Sequence, residues 1–430
     1  MKIRAFIITC LLSFLAIPVY QAKGQKANLA KYSAGFPVNY NEDSVGTYTL
    51  PDLLTMKNGE KVTDAKTWMN KRRPELVAQV ESLQFGKTPP PPAHLHYHVF
   101  DKGTSALQGK AIRKQVSIYL TPDTSHKVDV LIYLPAHTTK PVPVFLSINF
   151  GPNTWAVNDS GIKRSFIWSR DGKLIPAPPS QRQSIPDPDK FLEQGIGIAA
   201  LYYGDIEPDF KKGYEYGIRK YYSKTGTLAP DEWGAIAAWS WGLSRVMDYF
   251  ETDKQIDAHR IALFGVSRLG KTVLWTGGRD PRFKLVIASC SGEGGAALSR
   301  RNYGENIKHL TDTSRYFYQF SANYHSFASD VSKLPFDAHA LVALMAPRPL
   351  LLQTGDVDYW SDPKGEFLSA IAAEPVYKLF GEKGPGTTVW PQAKDTSLLL
   401  NPLGYYMHSG GHGTVPDDWD KYLLFLKKFL

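Results

Sequence analysis

Ser267 stands two residues beyond Gly265 in the run Ile261-Ala-Leu-Phe-Gly265-Val266-Ser267-Arg268-Leu269-Gly270-Lys271, where an apolar strand pattern gives way to a helical one. A serine on such a turn is thrust out over the sheet edge, where a base reaches its hydroxyl and the helix N-terminus favours negative charge. That is the chemistry of a nucleophile attacking an acyl carbon. The usual G-x-S-x-G pattern is broken: Leu269 holds the place of the second glycine and Gly270 follows one later. The letters Gly265 to Thr272 also satisfy G-x-x-x-x-G-K-[ST], a loop that cradles nucleotide phosphates. An exported chain meets no nucleoside triphosphate, and residues further along complete a hydrolase instead.

Those residues follow in the order serine, acid, histidine of the α/β hydrolases. After the apolar strand Leu350-Leu-Leu-Gln-Thr comes Gly355-Asp356-Val357-Asp358-Tyr359-Trp360-Ser361-Asp362-Pro363. Asp358 is preferred to Asp356 as the acid that orients an imidazole, and Asp362, next to Pro363, is read as a turn former. His412 lies between glycines in Met407-His408-Ser409-Gly410-Gly411-His412-Gly413, a polar loop that has no use for a packed ring. His412 is the expected base and His408 its rival. In such a trio His412 takes the Ser267 proton, Asp358 fixes the tautomer and steadies the cation, and Ser267 attacks an ester carbonyl. A backbone donor near Arg268, and the Arg268 charge itself, then face the oxyanion.

The elements that must hold this trio are legible as apolar strands alternating with helices. Val144 to Ile148, Ile198 to Tyr202, Ile261 to Phe264, Leu285 to Ala288 and Leu350 to Gln353 alternate with helical stretches such as Trp233 to Phe250 and Trp419 to Phe429. That pattern predicts an α/β-hydrolase fold: a mostly parallel central sheet with helices on both faces, a three-layer sandwich. Upstream, His94 to Phe100, Ala111 to Leu120, Val128 to Leu134 and Val142 to Asn149 read as further strands. Before them Trp68, Leu76, Val80 and Leu83 recur at helical spacing, with Asp64 or Thr63 as cap and Gly86 as stop. His94, His96 and His98 share one strand face; with no Cys or carboxylate nearby, a solvated edge is expected rather than a metal site. The Pro-rich stretch Ser169 to Asp189 reads as a long ordered loop of the kind that serves a site.

The 430 residues carry 43% hydrophobic and 21% charged side chains, which excludes disordered, collagenous and coiled-coil chains. A basic start, an apolar run from Ala5 to Val19 and small residues at Ala22 and Gly24 predict a cleavable leader over residues 1–24. Its run is shorter than the ~20 apolar residues of a membrane span. The expected product is a secreted or periplasmic monomer with no membrane span. Residues 25–430 are expected to form a single catalytic domain, with an N-terminal wrap over 25–90. Cys290 is the one cysteine outside the leader, so no internal disulfide is available. The net charge of +9 comes without any run of five Lys or Arg, which argues against nucleic acid and suits an acidic polysaccharide.

Gly265-Val-Ser267-Arg268-Leu-Gly270-Lys271, Ser291-Gly-Glu-Gly-Gly-Ala-Ala-Leu-Ser-Arg-Arg301 and Asp358-Tyr-Trp360-Ser-Asp-Pro363 together resemble the glucuronoyl esterases, carbohydrate esterase family 15, of bacterial type. The resemblance covers most of the chain from Trp233 onward. It implies a serine esterase that cleaves the ester joining the 4-O-methylglucuronate branch of glucuronoxylan to a lignin alcohol, with no metal and no cofactor. It further implies Ser267 as nucleophile, Arg268 as oxyanion stabiliser, and Lys271, Glu305 and Trp360 as the sugar-contacting set. Part of that family carries its catalytic Glu where this chain has Cys290, so the acid falls to Asp358 or, alternatively, Glu293. An acetylxylan or feruloyl esterase, or a non-catalytic carbohydrate-binding protein, are the competing readings.

Overall fold

The computed structural model describes residues 29–169, 171–180, 183–223 and 229–430. The expected leader lies outside them. Nine strands form one sheet: β1 (His96–Ala106), β2 (Ala111–Tyr119), β3 (Lys127–Pro135), β4 (Val142–Asn149), β5 (Gly197–Tyr202), β6 (Ile256–Val266), β7 (Leu285–Ser289), β8 (Leu350–Gly355) and β9 (Leu403–His408). Their order across the sheet is β9-β8-β7-β6-β4-β5-β3-β2-β1. The six strands from β9 to β5 run parallel, and β3, β2 and β1 extend the sheet antiparallel.

The residue sequence of β6 explains why both faces must be covered. Ile261 and Leu263 point into one apolar layer, Ala262 and Phe264 into the other, and all four are buried. The first layer includes α1 (Ala235–Phe250) and α2 (Arg268–Arg279), and the second includes α4 (Pro416–Phe429). Between them in sequence lies α3 (Pro363–Lys378), which packs on the first layer through Phe367, Ala370 and Ala373. Strands without a polar face can persist only between two such layers. This is the α/β-hydrolase arrangement that the strand and helix pattern predicts.

Two expectations hold, and two features are added. Asp64 does cap the first amphipathic helix, accepting the Thr67 backbone N–H at 2.8 Å. His94, His96 and His98 are exposed along or beside edge strand β1. Strand β9 was not anticipated, although all six of its residues are buried; only its last two, Met407 and His408, fall in the stretch read as a loop around His412. Within the proline-rich stretch and just ahead of it, Phe166–Trp168 and Leu174–Pro176 pair as a small hairpin.

The N-terminal segment contributes to the site's frame. Asn39 donates to the Asn302 carbonyl at 2.6 Å and accepts the Gly304 N–H on its own carbonyl at 2.8 Å. Glu42 pairs with Arg301 and, at 3.0 Å, with Lys364. The wrap is thereby fastened to the stretch that leads into Glu305 and to the first turn of α3.

Candidate active site

Register at the carboxyl edge of the parallel strands brings the distant motifs together. Val266 lies opposite Ser289, Ser289 opposite Gln353, and Gly355 opposite His408. The residues just past these strand ends, at 267, 290, 358 and 412, therefore gather at one rim. This is where open parallel sheets place their ligand crevices.

Ser267 forms the whole turn between β6 and α2. Its φ of 60° and ψ of −127° are a strained backbone for a side chain with a Cβ. The surroundings enforce it: the Ser267 N–H donates to the Ser289 carbonyl at 2.8 Å, and its carbonyl accepts from Lys271 at 3.0 Å. A Cβ on Gly265 would come within 2.4 Å of the Leu269 carbonyl oxygen, and one on Gly270 within 2.8 Å of the Ser289 carbonyl oxygen. That accounts for the broken motif. The close helix-to-strand approach falls on Gly270, while Leu269 is fully buried in the core. It also removes the phosphate-loop alternative, because Ser267 alone separates the strand from the helix and leaves no loop to curl around a phosphate.

His412 Nδ1 lies 2.7 Å from Asp358 Oδ2, with the Asp358 side chain 4% exposed and the His412 ring 43% exposed. A second contact, Ser361 Oγ at 3.1 Å, meets the same nitrogen. The ring is thus anchored at one nitrogen and open at the other, the disposition a general base needs. His408 is differently placed: it is buried, bonded through Nδ1 to Asp418 at 2.8 Å and through Nε2 to the Gly411 carbonyl at 2.9 Å. Burial opposes its charge, but the Asp418 bond prevails and its pKa is raised. It fastens the loop that carries His412.

The two alternative acid positions are also resolved in space. Glu293 is buried and accepts hydrogen bonds from Ser299 at 2.6 Å and Tyr324 at 3.1 Å; burial pushes its carboxyl up to about 8. Both bonds fall on Oε1, which Ser299 and Tyr324 hold, whereas Asp358 is the carboxylate bonded to His412. Cys290 adopts φ 45° beside the imidazole, and its Sγ accepts the Gly413 N–H at 3.4 Å. Asp362 caps α3 by accepting the Gly365 N–H at 3.0 Å and pairs with Arg301, as a turn former would.

Cys290, Asp358 and His412 have ligand-type atoms within 4.8 Å of one another. They do not suit a metal, since His412 Nδ1 is engaged by Asp358 and burial holds the thiol pKa well above its usual value.

Arg268 begins α2 and pairs with buried Asp209, which Tyr318 and Gln319 also hold, at 3.0 and 2.7 Å. Burial alone would weaken the Arg268 charge, yet Asp209 keeps its pKa raised. Its guanidinium carbon lies 4.9 Å from the Tyr316 ring centre and 5.5 Å from that of Phe150. Asp209, on the segment that follows β5 and a short turn at Tyr203–Asp205, escaped the sequence reading; its place on a loop at the carboxyl end of a parallel strand was the available signal.

A cleft of about 260 Å³ is lined by Ser267, Arg268, Lys271, Glu305, Trp360 and His412, with Arg315, Tyr316 and Gln319 added by the structure. Lys271 is buried and its pKa is lowered, by burial first, with Glu305 opposing. Burial raises the Glu305 pKa against Lys271 and Arg315. Arg315 donates to Glu305 at 3.2 Å and stands over the Trp360 ring at 5.1 Å. All seven residues named from the sequence thus border one space or the imidazole beside it.

Known proteins bear directly on this geometry. A carbohydrate esterase of an unknown prokaryotic organism is 41% identical over 90% of this chain and 91% of its own. The glucuronoyl esterase from Solibacter usitatus superposes with a TM-score of 0.85 at 43% identity, over 90% of this chain and 99% of that one. This chain belongs to the glucuronoyl esterases, carbohydrate esterase family 15. The esterase is accordingly a carboxylic ester hydrolase. A family model described as fungal glucuronyl esterase matches residues 188–381. A glucuronoyl esterase of this family from Teredinibacter turnerae superposes with a TM-score of 0.77 at 30% identity, covering 91% and 92% of the two chains.

A buried carboxyl below the site gives the esterase a measurable pH response. Glu366 accepts the Gly292 N–H at 2.6 Å and Ser291 Oγ at 3.2 Å, and burial pushes it up to about 8. Glu293 and Glu366 hold protons in the folded state that the unfolded chain releases near its ordinary carboxylate pKa. Their contribution is full below that pKa and is lost as pH rises through about 8. Thermal melting should therefore show stability declining between roughly pH 5 and pH 9, with a shallower slope in Glu293→Gln.

Proposed function

We propose that the esterase hydrolyses the ester between 4-O-methylglucuronate of glucuronoxylan and an alcohol of lignin, using Ser267 as nucleophile, His412 as base and Asp358 as its acid. The supporting observation is that one cleft is lined both by the nucleophile and base and by groups suited to a charged-sugar acyl part. Relatives named 4-O-methyl-glucuronoyl methylesterase, from Wolfiporia cocos and Hypocrea jecorina, support the substrate class. Lys271 donates to ring hydroxyls, Glu305 accepts from them, and the flat face of Trp360 covers the pyranose.

In the reaction His412 accepts the Ser267 proton as Oγ adds to the ester carbonyl. The resulting oxyanion meets the N–H groups at the start of α2 and the Arg268 guanidinium, held in place by Asp209. The tetrahedral species collapses, His412 returns the proton to the departing alcohol, and water then releases the acid by the same steps. No step draws on a cofactor. The catalytic unit in this reading spans residues 25–430 as one domain, acts as a monomer and is exported behind a leader over residues 1–24. Among the described residues no helix is long and apolar enough to cross a membrane.

Release of benzyl alcohol from a benzyl glucuronate ester, compared with acetate release from acetylated xylan and ferulate release from feruloylated xylan, tests the substrate class. Preference for the glucuronate ester is expected; preference for either of the others transfers the reading to an acetylxylan or feruloyl esterase. Two variants add detail. Arg268→Ala should lower kcat by ~10²–10³-fold, the usual loss for one oxyanion donor. Lys271→Ala should raise KM for the glucuronate ester by about tenfold, one lost charged hydrogen bond, and raise it less for a simple acetate whose acyl part leaves that cleft empty.

A further inference from the structure

An ester has two sides, and the charged cleft accounts for the acyl side alone. A second, larger cleft of about 1010 Å³ opens beside the nucleophile. Val266 immediately before Ser267, Thr414 two residues after His412, and Phe150 against the Arg268 guanidinium all line it. Its lining is richer in aromatic and apolar side chains than that of the first, with Asn149, Gln183, Ser184, Asp187 and Lys190 among its polar members. Phe264 and Trp419 form the floor, their ring centres 5.7 Å apart, and Phe150, Trp155 and Val415 form the walls. Trp155 is fixed by donating from Nε1 to the Pro178 carbonyl at 2.7 Å.

Resting on the glucuronoyl reading above, we propose that this cleft binds the aromatic ring of the ester's alcohol, with Trp155 and Phe150 as the residues that set alcohol specificity. A uronate held by Lys271, Glu305 and Trp360 directs its carbonyl to Ser267, and the alkoxy oxygen then faces away from that charged cleft. The space on that side offers several aromatic rings among polar groups and is of a size that encloses a drug-sized molecule. Aromatic walls of this kind reward an aryl group through offset or edge contacts and give little to a methyl group. Every alcohol leaves behind the same glucuronoyl enzyme, so its contacts act before departure and appear in kcat/KM for ester cleavage, not in the later attack of water.

The test compares kcat/KM for the benzyl and methyl esters of glucuronic acid, whose alcohols have similar acidity. The full-length parent should favour the benzyl ester by about tenfold, and Trp155→Ala should remove most of that ratio. Trp155→Phe, which keeps a ring but loses the bond to Pro178, should retain the ratio within about threefold, less than the tenfold that full loss of a ring contact gives. Phe150→Ala reads the same ratio from the other wall, should Trp155→Ala fail to fold. A parent ratio near one, or a ratio unchanged in both alanine variants, overturns the proposal and leaves the glucuronoyl reading standing. A Trp155→Phe ratio as low as that of Trp155→Ala also overturns it, by assigning the effect to the loop anchor. Failure of the parent to cleave either ester overturns the glucuronoyl reading and the alcohol site together.

Discussion

Ser267→Ala should reduce kcat on a benzyl glucuronate ester by ~10⁶-fold, and adding His412→Ala to it should cost almost nothing further. The non-additivity is the informative part. A nucleophile and its base act as one unit, so removal of either leaves only the weaker catalysis of the oxyanion donors and of binding. Ser267 lies on a strained turn that β6, Ser289 and Gly265 impose, so the alanine variant keeps the turn and loses only Oγ. Its melting temperature should match the parent's closely or exceed it. A variant with additive losses would mean that the two side chains serve separate steps.

Asp358→Asn should lower kcat by ~10⁴-fold while leaving KM nearly unchanged, because an amide at the 2.7 Å contact favours the wrong imidazole tautomer and gives no charge to the cation. Glu293→Gln is the control. Its carboxyl is bonded to Ser299 and Tyr324, so a loss below about threefold in kcat is expected, the scale of a change that disturbs no reacting group. If the two variants exchange these outcomes, the acid lies at 293 and Asp358 serves only to hold the ring. Cys290 beside the imidazole explains how the alternative arises: the turn after β7 aims that side chain at the same ring, and a thiol with a raised pKa carries no charge there.

How much of this was legible beforehand differs by the range of the interaction involved. Local patterns carried well: the apolar run into Ser267, the glycines around His412 and the acid past β8 each announce a strand end or loop through their own neighbours. The displaced glycine of the serine motif, Gly270 one place beyond Leu269, became intelligible only from the helix packing, since the sequence does not tell that Leu269 turns into the core. Strand β9 was missed because Gly404 and Pro402 break a short apolar segment that looks like loop, and its burial depends wholly on pairing with β8. Asp209 was missed for a similar reason. Its partner Arg268 is 59 residues away, and nothing local marks that ion pair. The choice between Asp358 and Glu293 stayed open because it depends on side-chain direction from a turn at positive φ, which residue type does not determine.

The most direct test of the central claim is mass mapping of the full-length esterase after reaction with a serine-directed fluorophosphonate, with and without glucuronate as competitor. A single adduct on the peptide carrying Ser267, formed in step with loss of ester hydrolysis and slowed by glucuronate, is the predicted result. An adduct confined to another residue while activity is lost, or full activity in protein completely modified at Ser267, would contradict the account.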